Sequence, residues 1–150
     1  MFVLQGVGPA ALGPSSGGLG LGPDHAGGTG GIPNSVGVKF DLFNNQGEGV
    51  DSTGLYLNGA APTTPATDLT GTGIDLHSGH VFNVTMTYDG TTLMVTIADA
   101  STGASATQSY KVNIPSVVGS NTAFAGFTGG TGGLTATRDV LSWDYFATTV

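Results

Sequence analysis

The chain has 150 residues, of which 9% are charged, and 10 acidic residues outnumber 3 basic ones. This balance excludes a protein that follows a nucleic-acid backbone, because such a protein needs clustered Lys and Arg. The absence of Cys excludes disulfides, zinc ribbons and thiol chemistry. No window holds the roughly 18 consecutive apolar residues of a membrane helix. The length and the 39% hydrophobic content predict one folded domain over residues 1–150.

The first third of the chain combines a Gly-rich and Pro-rich segment with a strand. Residues 6–31 contain little periodicity and several prolines, which exclude a helix or a central strand, so we expect long surface loops joining short extended pieces. Residues 35–43 then alternate as a strand does. One face holds Val36, Val38, Phe40 and Leu42, and the other holds Gly37, Lys39 and Asp41. This pattern predicts one core face and one polar face that is available for function.

The remaining predicted strands are short and separated by turn residues. They cover residues 55–57, 81–88, 93–98, 107–114, 123–128 and 140–146. Asp89-Gly90 joins two of them and is a strong hairpin signal, since Gly adopts the positive φ of a tight turn. We expect further turns across residues 101–103, 115–121 and 129–133, and no stretch keeps a helical apolar stripe. The pattern predicts an all-β protein, a sandwich or jelly roll of antiparallel sheets.

The carboxylates argue against an enzyme that cleaves sugars. Hydrolysis of a glycosidic bond generally needs two carboxyl groups that face each other. The only Glu, Glu48, falls in a predicted loop, and the neighbour of Asp41 on its strand face is Lys39. The sequence also has no nucleophile-elbow motif for a Ser-His-Asp triad. We therefore expect no enzymatic activity.

Oxygen-bearing side chains cluster after the 35–43 strand. Asp41, Asn45, Glu48 and Asp51 form a reasonable ligand set for Ca²⁺. The alternative is a polar loop rich in Asn and Gly, as loops commonly are. The spacing alone leaves both interpretations open.

Two further candidates have simpler explanations. His77 and His80, with Asp75 before them, have spacing that can bind zinc, but a polar turn before the 81–88 strand is the favoured interpretation. Trp143, the only Trp, could stack on a sugar. Its alternation with Leu141 and Tyr145 instead favours a core position.

Six short motifs occur in an order that resembles the legume-type lectin domain, in a bacterial-style variant, over nearly the whole chain. They are Phe2-Val3-Leu4-Gln5, Gly17-Gly18-Leu19-Gly20, Ile32-Pro33-Asn34-Ser35-Val36, Val38-Lys39-Phe40-Asp41, Tyr88-Asp89-Gly90-Thr91 and Leu141-Ser142-Trp143. The resemblance implies a concanavalin-like jelly roll that binds carbohydrate or glycan without altering it. We accordingly expect a secreted or cell-surface protein.

The resemblance also implies roles for individual residues around calcium. Asp41 would be the calcium carboxylate, and Phe43 would supply its carbonyl to the ion while its ring stacks on a sugar face. Asn45 would bind both the ion and a sugar hydroxyl. Glu48 is the second carboxylate by count, whereas a loop insertion would bring Asp51 there instead.

Two Gly-rich segments are implied to contact the sugar. Gly18 would offer its backbone N–H to the ligand, because a residue without a side chain lets the backbone approach closely. The loop from Gly129 to Leu134, with Gly133 and Leu134 at its end, would close the site.

One departure from the family concerns its second metal. Lys39 stands where the family has the Glu that binds a transition metal, and Gly54 or Leu55 stands near the position of its His. We expect the transition-metal site to be lost. We hypothesise that Lys39 partly substitutes for this metal by pairing with Asp41, which would weaken or abolish calcium binding.

A second departure concerns the first strand. In the family, the motif that begins here at Phe2 is preceded by several further strands and by an Asp-Gly pair. The Asp of that pair is the family's main sugar anchor. We therefore expect an N-terminally incomplete sandwich with open sheet edges, which are templates for pairing with another chain. This predicts a homo-oligomer or a partner that supplies strands. The alternative function is a structural, self-assembling extracellular β-protein that has lost the sugar site.

Overall fold

The computed structural model describes residues 1–146, which form eight β-strands, one short α-helix and two 3₁₀ turns. The strands are β1 (Phe2–Gln5), β2 (Ser35–Asp41), β3 (Ser52–Leu57), β4 (Thr67–Asp68), β5 (Phe82–Tyr88), β6 (Thr92–Asp99), β7 (Ser105–Lys111) and β8 (Phe124–Phe127). The helix, α1, covers Ile114–Val118, and the 3₁₀ turns cover Ser16–Gly18 and Thr70–Thr72. None of these helical elements is long and apolar enough to cross a membrane within residues 1–146.

The strands form two antiparallel sheets. A five-stranded sheet has the order β4-β3-β2-β1-β8, and a three-stranded sheet has the order β5-β6-β7. The predicted hairpin between β5 and β6 is confirmed: Asp89 Oδ1 accepts hydrogen bonds from the N–H groups of Thr91 and Thr92, and Gly90 has a φ of 96°. The all-β prediction is confirmed, and the arrangement is consistent with a concanavalin-like sandwich.

One apolar cluster lies between the two sheets. Because side chains alternate along a strand, Val36 and Val38 of β2 enter this cluster, as the sequence pattern predicts. Its buried members are Val36, Val38, Leu69, Ile74, Leu93, Val95, Ile97, Ala106, Val112, Ile114 and Val118. The cluster fixes the orientation of β2 and therefore which residues its opposite face carries.

The Gly-rich N-terminal segment covers that opposite face. Leu19 and Leu21 are buried there, in a second cluster with Met1, Val3, Ile32 and Tyr56. Gly37 makes room for this packing, since a Cβ atom at Gly37 would lie 2.6 Å from Leu21 Cδ2. The expectation of surface loops over residues 6–31 is therefore wrong for Leu19 and Leu21, which serve as the sheet's cover.

The predicted strand over 107–114 is wrong at its end. Strand β7 stops at Lys111, and α1 replaces part of the turn expected over 115–121. The signals for a helix are local: the Asn113 side chain accepts a hydrogen bond from Ser116 N–H, Pro115 lies in the first turn and Gly119 ends the helix with a φ of 78°. A five-residue helix is too short to show an apolar period.

The strand predicted over 140–146 is also wrong, because this segment has no regular structure and pairs with neither sheet. Trp143 is 49% exposed, so the expected core position is wrong too. Its ring packs edge-on against Phe127, with 5.8 Å between centroids, and Phe127 packs edge-on against Phe2. Alternation alone misled here, since a strand also needs a neighbour that pairs with it.

Candidate functional site

The outer face of β2 carries a buried ionic centre. Lys39 is 0% exposed and Asp41 is 1% exposed, so the polar face that the alternation predicts is closed to solvent. Lys39 Nζ lies 3.7 Å from Asp41 Oδ2 and 4.0 Å from Glu48 Oε1, and Glu48 is also buried. The ammonium therefore lies between two carboxylates that come from the two ends of one loop.

The walls around the ammonium are polar and aromatic. The Thr63 carbonyl accepts a hydrogen bond from Lys39 Nζ at 3.3 Å. The centroid of the Tyr56 ring lies 5.5 Å from the same nitrogen, which is within cation–π range. Tyr56 Oη donates to the same Thr63 carbonyl at 2.6 Å. The loop that contains Thr63 therefore forms one wall of the ionic centre.

Each carboxylate is held by one oxygen only. Asp41 Oδ1 accepts a hydrogen bond from Phe43 N–H at 3.3 Å, and Glu48 Oε2 accepts one from Gln46 N–H at 2.6 Å. The other oxygens, Asp41 Oδ2 and Glu48 Oε1, are buried and have no hydrogen-bond partner. These are the two oxygens that face Lys39, so the ammonium is their compensating charge.

Burial and pairing act in opposite directions on these groups. Burial lowers the pKa of Lys39, and the carboxylates of Asp41 and Glu48 oppose this by stabilising the ammonium. Burial raises the pKa of Asp41, against the effect of Lys39. Arg138 also opposes that rise, and its guanidinium donates to the Phe40 carbonyl at 3.0 Å.

Beyond this centre, the same loop brings Asn45 against the Ser16–Gly18 turn. A Cβ atom at Gly17 would lie 3.0 Å from Asn45 Nδ2 and 3.4 Å from Asp24 Cβ. The exposed side chains of Asn45 and Asp24 therefore flank one glycine. Gly18, whose N–H was expected to face a ligand, donates that N–H to the Ser15 carbonyl at 3.2 Å.

The second Gly-rich segment packs on the same turn. Ser16 N–H donates to the Thr131 carbonyl at 3.2 Å. A Cβ atom at Gly130 would lie 2.9 Å from the Ser16 carbonyl oxygen, so the two backbones touch only because Gly130 has no side chain. Gly133 and Leu134 follow with open space around Gly133 and 63% of Leu134 exposed.

An open groove of about 530 Å³ lies next to the turn. Its ionisable side chains are Asp24 and His25, whose Oδ1 and Nδ1 atoms are 2.6 Å apart. The residues that line it are Pro14, Ser15, Ser16, Pro23, Asp24, His25, Gly27, Gly28 and Thr29. Sequence reasoning missed Asp24, because it sits in an aperiodic segment and nothing local links it to Asn45.

A separate group of side chains that could bind a metal ion lies near Phe43. The ligand atoms of Asp51, Asp75 and His77 lie within 4.8 Å of one another. Asp51 Oδ1 is 3.1 Å from His77 Nδ1, and the His77 ring packs edge-on against Phe43 at 5.9 Å. His80 instead contacts Asp99 at 2.8 Å, so the structure does not combine the two histidines as the zinc interpretation requires.

The comparison with known families fits this geometry. A family model described as the legume lectin domain matches residues 2–149. The chain belongs to the legume lectin domain family. The resemblance carried by the ordered motifs is thereby confirmed. A search of curated proteins finds no match.

Legume lectin domains generally bind carbohydrate without catalysis, and generally hold Ca²⁺ together with a transition metal. The residues of this legume lectin domain do not fit the transition metal, because an ammonium and not a carboxylate stands at position 39. A metal ion would need the carboxylate oxygens of Asp41 and Glu48. In this structure those oxygens lie 3.7 and 4.0 Å from the ammonium instead. A cation between them would lie against a positive charge.

The structure divides the predicted calcium set of this legume lectin domain into three places. Asp41 and Glu48 surround Lys39, whereas Asn45 faces outward to the Gly17 turn. Phe43 and Asp51 contact His77. The roles of these five residues stay predictions, and only Asn45 lies beside the Gly-rich loops expected to face the sugar.

Proposed function

We propose that this legume lectin domain binds carbohydrate without catalysis, at the surface where Asn45, the Ser16–Gly18 turn and the 129–133 loop meet. The observation that supports the proposal is the contact of the Asn45 amide with Gly17, on the same turn that the 129–133 loop touches. A side-chain amide donates and accepts hydrogen bonds at once, which suits vicinal sugar hydroxyls. Gly129, Gly132 and Gly133 of the 129–133 loop are exposed and let a sugar ring approach the backbone, whereas Gly17 and Gly18 are buried.

Asp24 supplies the carboxylate of the proposed site. Its side chain is 55% exposed, borders Gly17 as Asn45 does, and lines the groove. Sugar hydroxyls donate well to a carboxylate, and a charge-assisted hydrogen bond contributes about 1.5–3 kcal/mol. We infer that the Asp24 carboxylate anchors a sugar hydroxyl at this site.

The absence of catalysis in this proposal follows from where the acids lie. Asp41 and Glu48 are close to each other, but they are 1% and 3% exposed and face Lys39. A buried, paired carboxylate cannot reach a glycosidic bond, whereas hydrolysis requires two carboxyl groups on either side of it. Binding without turnover is the chemistry that the exposed groups support.

The test is a glycan array followed by calorimetry with the sugars that bind. Asn45→Ala should weaken binding roughly tenfold to a hundredfold, since it removes hydrogen bonds worth about 1–3 kcal/mol. Asn83→Ala, on the exposed side of β5, is the matched control and should bind normally. Titrations in Ca²⁺ and in chelator decide whether calcium assists. The proposal fails if no sugar binds, or if both variants lose affinity equally.

A second candidate function is self-association, and exposed apolar side chains favour it. Leu141, Tyr145 and Phe146 are 72%, 65% and 84% exposed. Contiguous exposed apolar surface commonly marks an interface. We propose a second copy of this chain as its occupant, because the strands at the sheet edges offer further pairing sites. Sedimentation of the wild type and of Leu141→Ser decides: a concentration-dependent dimer that the substitution abolishes supports assembly, and a monomer throughout contradicts it.

A further inference from the structure

We propose that the Lys39 ammonium is an internal cation that holds the 42–48 loop in place of a divalent metal ion, so that the domain keeps this loop in shape without metal. The inference goes beyond carbohydrate binding, because it concerns how the loop is held and not what the loop binds. It extends the pairing expected from sequence, which involved Asp41 alone, to Glu48 and to the far end of the loop.

The ammonium donates a hydrogen bond to one oxygen and lies at ion-pair distance from two more. An ammonium has three N–H donors and no acceptor. Three oxygens face it: the Thr63 carbonyl at 3.3 Å, Asp41 Oδ2 at 3.7 Å and Glu48 Oε1 at 4.0 Å. The two carboxylate oxygens have no hydrogen-bond partner, so the nearby ammonium compensates them by its charge. Lys39 is therefore the counter-charge that allows both carboxylates to be buried.

The position of the ammonium explains why it would act as a metal does. Asp41 ends β2, and Glu48 lies in the loop that leads to β3 at Ser52. Because the ammonium contacts both Asp41 and Glu48, it holds the loop at its start and near its end. Asn45 lies between them and reaches the Gly17 turn. A divalent ion that held this loop would need the same two carboxylates as ligands, and it would have to be captured from solution.

The first experiment uses the wild-type protein. It is saturated with Ca²⁺ and Mn²⁺, passed through a desalting column and measured by elemental analysis, and its melting temperature is compared in excess EDTA and in excess of each ion. We expect no stoichiometric divalent ion and no change in melting temperature with chelator. A retained ion in a one-to-one ratio, together with a lower melting temperature in EDTA, would overturn the proposal if both persist in His77→Ala, which removes a ligand of the separate group near Phe43.

The second experiment replaces the internal cation with a carboxylate. Lys39→Glu places three acidic side chains together, so it should melt well below the wild type in EDTA. Excess Ca²⁺ or Mn²⁺ should restore roughly 5–10 °C, as binding to the folded state alone does at ligand concentrations far above Kd. Lys111→Glu makes the same change of charge on the exposed end of β7 and should not respond to metal.

The variant also defines results that contradict the inference. If Lys39→Glu melts like the wild type in EDTA, no cation is needed at this position and the proposal is wrong. If Lys39→Glu does not fold with or without metal, the wild-type elemental analysis and melting curves still decide. Neither experiment includes a sugar, so failure of the carbohydrate proposal would leave both results interpretable.

Discussion

Lys39 and Asp41 lie side by side on the outer face of β2, with 3.7 Å between Nζ and Oδ2 and with 0% and 1% of the two residues exposed. Desolvating two charges costs free energy that their attraction only partly returns, so such a pair is weak evidence for stability. Removing one partner is different, because the other is left as an uncompensated buried charge. The pair is therefore best tested by breaking it.

Lys39→Met should lower the free energy of unfolding by about 3–5 kcal/mol, since Asp41 and Glu48 would stay buried without a counter-charge. Urea denaturation measures this loss. Lys111→Met, on an exposed strand position, is the control and should change stability by less than about 0.5 kcal/mol. A loss for Lys39→Met as small as that of the control would show that the ammonium contributes nothing.

Gly130→Ala should separate the 129–133 loop from the Ser16–Gly18 turn. The added Cβ would meet the Ser16 carbonyl oxygen at 2.9 Å and the Ser16 nitrogen at 3.0 Å, and backbone atoms cannot move away cheaply. We expect several-fold weaker sugar binding with little change in melting temperature. Gly71→Ala adds a Cβ in open space and serves as the control. Unchanged sugar affinity in Gly130→Ala would remove the loop from the site.

Asp24→Asn should weaken sugar binding roughly tenfold to a hundredfold, because it removes charge-assisted hydrogen bonds of about 1.5–3 kcal/mol. The amide keeps the size of the side chain, so loss of affinity reports the charge. Calorimetry with Asp144→Asn, an exposed Asp in the 140–146 segment, controls for net charge. Equal affinities of the two variants would show that the groove beside Asp24 is not the sugar site.

The free energy of unfolding at low pH should depend on Asp99. A hydrogen bond from His80, with help from Ser101 and Thr102 N–H, lowers the pKa of Asp99 from 3.8 to about 2. Because this folded-state pKa is lowered, Asp99 stabilises the fold above pH 3.8, and that contribution disappears as the pH falls toward 2. His80→Ala should raise the pKa of Asp99, which a carboxyl NMR titration measures. An unchanged pKa would mean that the backbone donors suffice.

Local sequence patterns predicted the parts of the fold whose signals are local. The period-2 alternation of β2 and the Asp89-Gly90 turn correctly indicated two antiparallel sheets. The pattern at 140–146 failed, because alternation says nothing about whether a neighbouring strand is present. The alternation of β2 also placed Lys39 beside Asp41 correctly. It could not show that the Gly-rich segment and the loop at Thr63 bury these two side chains.

The candidate site depends on contacts between loops, and these were only partly predictable. The family resemblance implied that two Gly-rich segments face the sugar; that role stays a prediction, and the structure brings both segments to Ser16. The approach of Asp24 and Asn45 to Gly17 leaves no trace in spacing, since Gly17 and Asp24 lie in the aperiodic 6–31 segment and Asn45 lies in a different loop. The same holds for Asp51 and His77, which are 3.1 Å apart in space and belong to different loops.

The most direct test of the carbohydrate-binding account is an NMR titration of the ¹⁵N-labelled wild-type protein in excess EDTA, with a sugar selected on the array. The account predicts saturable shifts at the Asn45 side-chain amide and at the backbone amides of Gly17 and Thr131, and a repeat in Ca²⁺ shows whether calcium assists. Shifts confined to other surfaces, or no saturable shift in either condition, would contradict it.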